Sequence, residues 1–162
     1  MYDHYQVMRH IAGTPLIDHT EEKPRFFRAS NIMEIEELFQ SQSLAKISGL
    51  IAMDNDDIKF SENDNNENIS RAYYSAVIFA GYKEGDIPSW LNAKTWCRQT
   101  AINIKDLLQV YRKSHSHGFT PNETLHDFAI FSLGRLFDFW AVQLNFTVTQ
   151  IYCPEVFTDE YL

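Results

Sequence analysis

Residues 137–152 carry the clearest alternation of apolar and polar positions in the chain. From Trp140 the apolar side chains fall on every second residue, as Trp140, Val142, Leu144, Phe146 and Val148, with small or polar residues between them. A period of two predicts a β-strand with one face in a core and the other towards solvent. Because strands that are covered on both faces tend to be apolar throughout, this strand predicts a mostly antiparallel sheet with helices packed on one face.

Shorter apolar runs predict further strands. Residues 50–53 form a bounded apolar run, which favours a buried strand, and residues 72–80 are apolar on both sides, which favours a central one. The intervening residues 54–68 are the most polar stretch of the chain and are predicted to be a loop. The mixed segment 16–29 has room for one short strand.

The segment before the main strand fits two structures. Thr120 to Glu123 has the form of a helix start, with Pro121 in the first position. Residues 125–131 are equally compatible with a strand. We favour the strand, with Gly134 forming the turn of a hairpin into residues 137–152.

Two short segments have the spacing of amphipathic helices. Residues 2–12 place Tyr5, Met8 and Ile11 three apart, and a helix is predicted there. A second helix is predicted over residues 31–41, where Asn31 and the glutamate three positions later form a capping-box pattern.

The longest helix is predicted at about residues 90–114. Ser89 is its predicted N-cap, and Gly118 ends the segment. Its apolar stripe comprises Cys97, Ala101, Ile104, Leu108 and Tyr111. A stripe of this length is expected to lie across the apolar face of the sheet.

The 162 residues fit a single α+β domain, 1–162, in which 44% of the residues are hydrophobic. The net charge of −8 and the lack of a basic stripe argue against specific nucleic-acid binding. No apolar stretch is long enough to span a membrane, so no membrane partner is predicted. Cys97 and Cys153, the two cysteines, suggest neither a disulfide framework nor a zinc site.

No motif for nucleophilic catalysis or nucleotide binding occurs, so we predict no catalytic, cofactor-binding or metal-binding residues and no cofactor. An alternative is a small metal-dependent or ligand-binding enzyme that uses His115, His117 and Asp127, because imidazole and carboxylate groups are common metal ligands. Asp54, Asp56 and Asp57 could supply oxygen ligands to calcium, yet the surrounding loop lacks the required glycine and glutamate. A monomeric acidic adaptor is the third hypothesis.

The order of these elements, together with three phrases of sequence, resembles a known family. The phrases are Pro24-Arg25-Phe26-Phe27-Arg28-Ala29-Ser30, Asp64-Asn65-Asn66 and Arg71-Ala72-Tyr73-Tyr74. They are similar to tail-terminator, tail-completion and neck (head–tail connector) proteins of tailed bacteriophages and prophages, of the type found in phages of Bacteroides-like hosts. The Asn-rich loop 54–68 is longer than in a generic member.

This resemblance implies a structural virion protein and not an enzyme. Members of the family have a small α+β fold and form rings, typically hexamers, that cap the tail tube or join it to the head. The implied partners are therefore other copies of this chain and neighbouring tail or neck proteins, with DNA passing through the ring. The implied location is the virion, and the host cytoplasm during assembly. The segment 154–162 and the surplus aromatic residues are candidates for subunit contacts.

Overall fold

The computed structural model describes residues 1–42, 47–54 and 57–153. The elements in chain order are α1 (His4–Ala12), β1 (Phe26–Ala29), α2 (Ile32–Gln42), β2 (Ser48–Met53), β3 (Ile58–Glu62), β4 (Asn68–Gly81), α3 (Ile87–Lys113), β5 (Glu123–Leu136) and β6 (Phe139–Tyr152). Within these ranges six strands form one sheet, and only β1 and β2 pair in parallel. The predicted α+β class, with its mostly antiparallel sheet and one long helix, is confirmed.

The sheet is built around β4, the strand predicted to be central. The strand order is β1-β2-β4-β6-β5, and β6 pairs with β4 along its whole length. On the other side, β2 pairs with the second half of β4 and β3 with the first half. β2 and β3 therefore lie one after the other along the same side of β4.

Helices cover both faces of this sheet. On the first face, α1 and α3 pack over the inward side chains of β4 and β6, among them Ile78, Leu144 and Phe146. All five residues of the predicted α3 stripe are buried there. The prediction placed the helices on this face only, but α2 packs on the second face, where Ile35 and Phe39 meet Phe79.

The alternation in β6 is confirmed on the first face, where Val142, Leu144, Phe146 and Val148 are buried. The second face was predicted to be solvated, yet Ala141 at the start of β6 is fully buried there. This end lies beneath α2, whereas the middle of the strand on that face carries polar, partly exposed residues. β6 is thus buried on both faces at its start and on only the first face in its middle.

The helix ends differ slightly from the predicted ones. The N-cap of α3 is Asp86, whose carboxylate accepts the Ser89 backbone N–H at 3.1 Å, so the helix begins three residues before the predicted start. Its C-cap is Ser114, and Gly118 instead occupies the following turn at φ +86°. In α2 the predicted cap is confirmed, since Asn31 Oδ1 accepts the Glu34 N–H at 3.0 Å.

The prediction that residues 54–68 form a loop is wrong for the part that becomes β3. Ile58, Lys59 and Phe60 do alternate, but all five residues of β3 are exposed, so the alternation meets no core. The strand forms because the turn 63–67 folds it back onto β4. In that turn Asn63 Oδ1 accepts the backbone N–H groups of Asn65 and Glu67, at 3.0 Å and 2.9 Å.

The strand interpretation of residues 125–131 is confirmed, because they lie within β5. The hairpin turn, however, is at Phe137 and Asp138, and Phe137 has a φ of +55°. Gly134 lies inside β5 at a register shift, with a φ of +77°. The glycine therefore allows a β-bulge and not the predicted turn.

Gly49 on β2 is a position where any side chain would collide with neighbouring atoms. A Cβ there would lie 2.5 Å from the Arg25 carbonyl oxygen and 2.7 Å from the Phe79 ring. Because both neighbours are held in the sheet and core, Gly49→Ala is expected to lower the free energy of unfolding by about 1–3 kcal/mol. Urea denaturation measures this change. Gly13→Ala is the control, since its Cβ would meet the His10 and Arg9 carbonyl oxygens at 3.4 Å and 3.9 Å, without a clash. Equal effects of the two substitutions would contradict the prediction.

Candidate functional site

The most unusual side chain of the interior is His4, in the first turn of α1. Asp3 caps this helix by accepting the Gln6 N–H at 3.1 Å, and the cap directs His4 onto the first face of the sheet. Its ring stacks on Tyr74 with centroids 4.8 Å apart. Helical spacing predicted Tyr5 for this buried stripe, but Tyr5 is only half-buried and His4 takes the inner position.

Both nitrogens of the His4 ring have partners. Nε2 lies 2.7 Å from the Ser75 carbonyl oxygen, which can only accept, so Nε2 carries the hydrogen. Nδ1 then accepts from the Tyr2 hydroxyl at 2.8 Å. Burial lowers the pKa of His4 from 6.5 to about 4. His4 is therefore neutral at pH 7 and holds α1 against β4, with neither nitrogen free to take a proton from a ligand.

A buried carboxylate, Glu123, ties the same region to β5. It is only 1% exposed. Its Oε2 accepts the Tyr2 backbone N–H at 2.8 Å, and its Oε1 accepts the Thr120 N–H and hydroxyl at 2.9 Å and 3.0 Å. Hydrogen bonds from three donors offset the cost of burying a charge. Sequence reasoning treated Glu123 as part of a helix start and missed this role, because its partner Tyr2 is 121 residues away.

A polar cleft of about 470 Å³ opens beside His4, between α1, β1 and β2. Arg28 Nε donates to Asp54 Oδ1 at 2.6 Å across it, and the guanidinium lies 5.0 Å from the Tyr5 ring centroid. The hydrogen bond to Asp54 raises the pKa of Arg28. Asp54, considered above as a calcium ligand, is thus the partner of an arginine. Of the other two aspartates, Asp56 lies outside the described residues.

The structure does not bring His115, His117 and Asp127 together. His117 packs against His10 and Tyr111, with ring centroids 4.1 Å away in both cases, and burial lowers its pKa. Asp127 instead contacts its neighbour His126 at 2.9 Å. In residues 1–42, 47–54 and 57–153, no three His, Cys, Asp or Glu side chains are grouped to hold a metal ion.

Neither cysteine forms a disulfide. Cys97 is buried in the α3 stripe, and burial raises the pKa of its thiol to about 12. A thiol with that pKa is protonated at pH 7 and is a poor nucleophile. Cys153, after the end of β6, is exposed.

The surface shows a different kind of candidate site at β3 and β5, two of the three edge strands in the described sheet. On β3, Ile58 is 50% and Phe60 66% exposed, and on β5 Phe131 is 52% exposed. Among the described strands, β3 pairs only with β4 and β5 only with β6, so each has an outer edge with backbone groups directed away from the sheet. An exposed edge with large apolar side chains is a template for pairing with another chain.

The middle of the second face is also open, beyond the end of α2. Ser75 Oγ and Gln143 Nε2 both donate to Asn145 Oδ1 at 2.8 Å, forming a partly buried polar network across β4 and β6. Tyr73 and Tyr74 point to opposite faces, because successive side chains on a strand alternate. Tyr74 joins the core, while Tyr73 lies under Lys59 on the second face, with Nζ 5.4 Å from the ring centroid.

The geometry therefore defines a mostly antiparallel α+β protein with apolar outer strands and a structural, fully engaged histidine. Comparison of the chain with protein-family models and with curated proteins found no match. None of the helices in the described ranges has the length and apolar character needed to cross a membrane.

Proposed function

We propose that this protein is a structural virion protein of a tailed bacteriophage that assembles into a ring. The ring acts at the head–tail junction or tail end, as a tail terminator, tail-completion or neck component. The observation that carries the proposal is that two edge strands on opposite sides of β4 and β6, β3 and β5, carry exposed apolar side chains. The resemblance in element order supports the phage setting.

The position of these edges favours a ring over a simple pair. The strand order across this part of the sheet is β3-β4-β6-β5, so the two edges are different surfaces on opposite sides. Contact between β5 of one copy and β3 of the next is a head-to-tail interface. Such an interface closes into a ring when the rotation between copies allows it.

The charge of the chain fits a passage for DNA through this ring. A net charge of −8 on each copy gives a negative assembly that repels phosphates and prevents DNA from sticking to the walls. The protein would reside in the virion after assembling in the host cytoplasm.

The mass of the purified protein in solution, measured by light scattering, tests the proposal, with negative-stain electron microscopy of the same sample. The expected result is a ring, of about hexamer mass, with an open centre. Metal content is read in parallel. A protein that remains monomeric at every concentration, or a monomer that carries stoichiometric metal, would overturn the proposal.

Phe60→Glu is expected to abolish ring assembly. The change places a charge in the apolar edge of β3, where burial against a second copy would leave the carboxylate without water or a partner. We expect the mass to fall to that of a monomer while the far-ultraviolet circular dichroism is unchanged, since Phe60 is exposed. Gln109→Glu, at an exposed position of α3, adds the same charge away from the edges and should leave the mass unchanged. Equal masses for the two variants would exclude the β3 edge from the interface.

A further inference from the structure

A groove of about 310 Å³ lies between α3 and the β5–β6 hairpin and shares no lining residue with the cleft beside His4. Its apolar walls come from Ile102, Ile130 and Val142, and its rim carries two cations. We call it the α3–β6 groove.

The two cations are Lys94 and Arg98, which lie on one side of α3 because they are four residues apart. Lys94 Nζ lies 5.1 Å from the ring centroid of Trp90 and 5.3 Å from that of Trp140. In the part of the chain that the structure describes, neither Lys94 nor Arg98 forms an ion pair with a carboxylate. The rim of the groove thus has positive charge available in a chain whose net charge is −8.

Trp140 lines the same groove with its indole ring. Its indole Nε1 is buried and finds no acceptor among the described residues. Two cations and apolar walls together favour an extended peptide that is both acidic and apolar.

We propose that the α3–β6 groove binds residues 154–162 of the neighbouring copy in the ring, an inference that rests on the proposed function. This segment, Pro-Glu-Val-Phe-Thr-Asp-Glu-Tyr-Leu, follows β6 and lies outside the described residues. It contains three carboxylates, Glu155, Asp159 and Glu160, and no basic residue. Phe157 and Tyr161 supply the apolar contacts, so its charge and its apolar character both match the groove.

The reach of the segment identifies the occupant as a neighbour's segment. The groove is at the start of β6, at Trp140 and Val142, whereas the segment leaves from the other end, after Tyr152. Val142 and Tyr152 are ten positions apart on the strand, a distance of about 33 Å. Glu160 is eight residues past Tyr152, which spans at most about 29 Å when extended, so none of the three carboxylates reaches the groove of its own chain. In a head-to-tail ring, the distance from the end of β6 to the groove of the next copy is set by the interface and not by the length of β6. Each interface can then hold one such segment.

A peptide titration tests this binding without relying on assembly. A fluorescein-labelled peptide of residues 154–162 is added to the full-length Phe60→Glu variant, and fluorescence anisotropy gives the affinity. We expect saturable binding that weakens with salt, and at least tenfold weaker binding when Lys94→Glu and Arg98→Glu are added. The control peptide carries lysine in place of Glu155, Asp159 and Glu160 and should bind at least tenfold more weakly than the native peptide. Failure of the native peptide to bind, or equal binding to the groove variant, would overturn the inference.

Light scattering on full-length proteins separates this inference from the proposed function. Lys94→Glu with Arg98→Glu should raise the concentration for half-assembly at least tenfold, and reversal of the three segment charges to lysine in the same chain should restore it. Lys23→Glu with Lys83→Glu changes the net charge equally at exposed positions outside the groove and should have no such effect. If the ring forms normally when the two groove charges are reversed, the segment exchange is refuted and the ring proposal stands. A monomeric wild type that still binds the peptide would refute the ring, and with it the exchange between neighbouring copies, but not the recognition of the segment by the groove.

Discussion

Replacing Phe79 by alanine is expected to lower the free energy of unfolding by about 3–5 kcal/mol. Phe79 is fully buried on the second face of the sheet, with its ring centroid 4.9 Å from Phe39 and 5.5 Å from Phe139. Alanine would leave a cavity between β4 and α2 that these rings cannot fill without leaving their own contacts. Because α2 is held to this face mainly by Ile35 and Phe39, we expect the helix to become less stable than the rest of the fold.

Urea denaturation followed by circular dichroism measures this effect, and hydrogen exchange shows whether the α2 amides lose protection first. Phe137→Ala is the matched control, because it removes the same ring from an exposed position in the β5–β6 turn. If Phe79→Ala lowers the free energy of unfolding no more than Phe137→Ala does, the second-face core is not packed as described.

Acidification from pH 6.5 to pH 4 is expected to remove about 3 kcal/mol of stability through His4 alone. The pKa of this residue falls from 6.5 in an unfolded chain to about 4 in the folded protein, chiefly because of burial. At pH values between 4 and 6.5, His4 binds a proton in the unfolded state but not in the folded state. Protonation therefore favours unfolding, so the contribution is fully present above pH 6.5 and is lost as the pH falls towards 4.

The His4→Gln variant isolates this contribution. A glutamine amide can donate to the Ser75 carbonyl as Nε2 does, but it does not titrate. Urea midpoints measured at intervals between pH 7 and pH 4 should fall more steeply in the wild type than in the variant, with all other groups common to both. Parallel curves would show that His4 is not held neutral by its surroundings.

Much of the secondary structure follows from local patterns. The period of two in β6 and the stripe from Cys97 to Tyr111 on α3 each arise from side chains that share a face of one element, so neighbours in sequence suffice to read them. The same reasoning failed at β3, whose residues are all exposed, because that strand is stabilised by pairing with β4 and not by a core. It also failed at Gly134, because glycine can adopt a positive φ in a β-bulge as readily as in a turn.

The candidate sites depended on contacts that no local pattern contains. His4 contacts Ser75, which is 71 residues away, and Glu123 contacts Tyr2, which is 121 residues away. Neither His4 nor Glu123 lies in a sequence motif that predicts these contacts. The α3–β6 groove likewise exists only because α3 lies across β6 and brings Lys94 and Arg98 to Trp140.

The sequence by itself determined the α+β class, the central strand β4, the long helix and the acidic character of the chain. Each of these is a property of composition or of periodicity within one element. Only the tertiary structure decided which face α2 covers, which strands lie at the edges, and which polar groups are buried together. Those outcomes depend on how elements far apart in the chain pack and pair, and packing of that kind is set by the shapes of whole surfaces and not by the order of neighbouring residues.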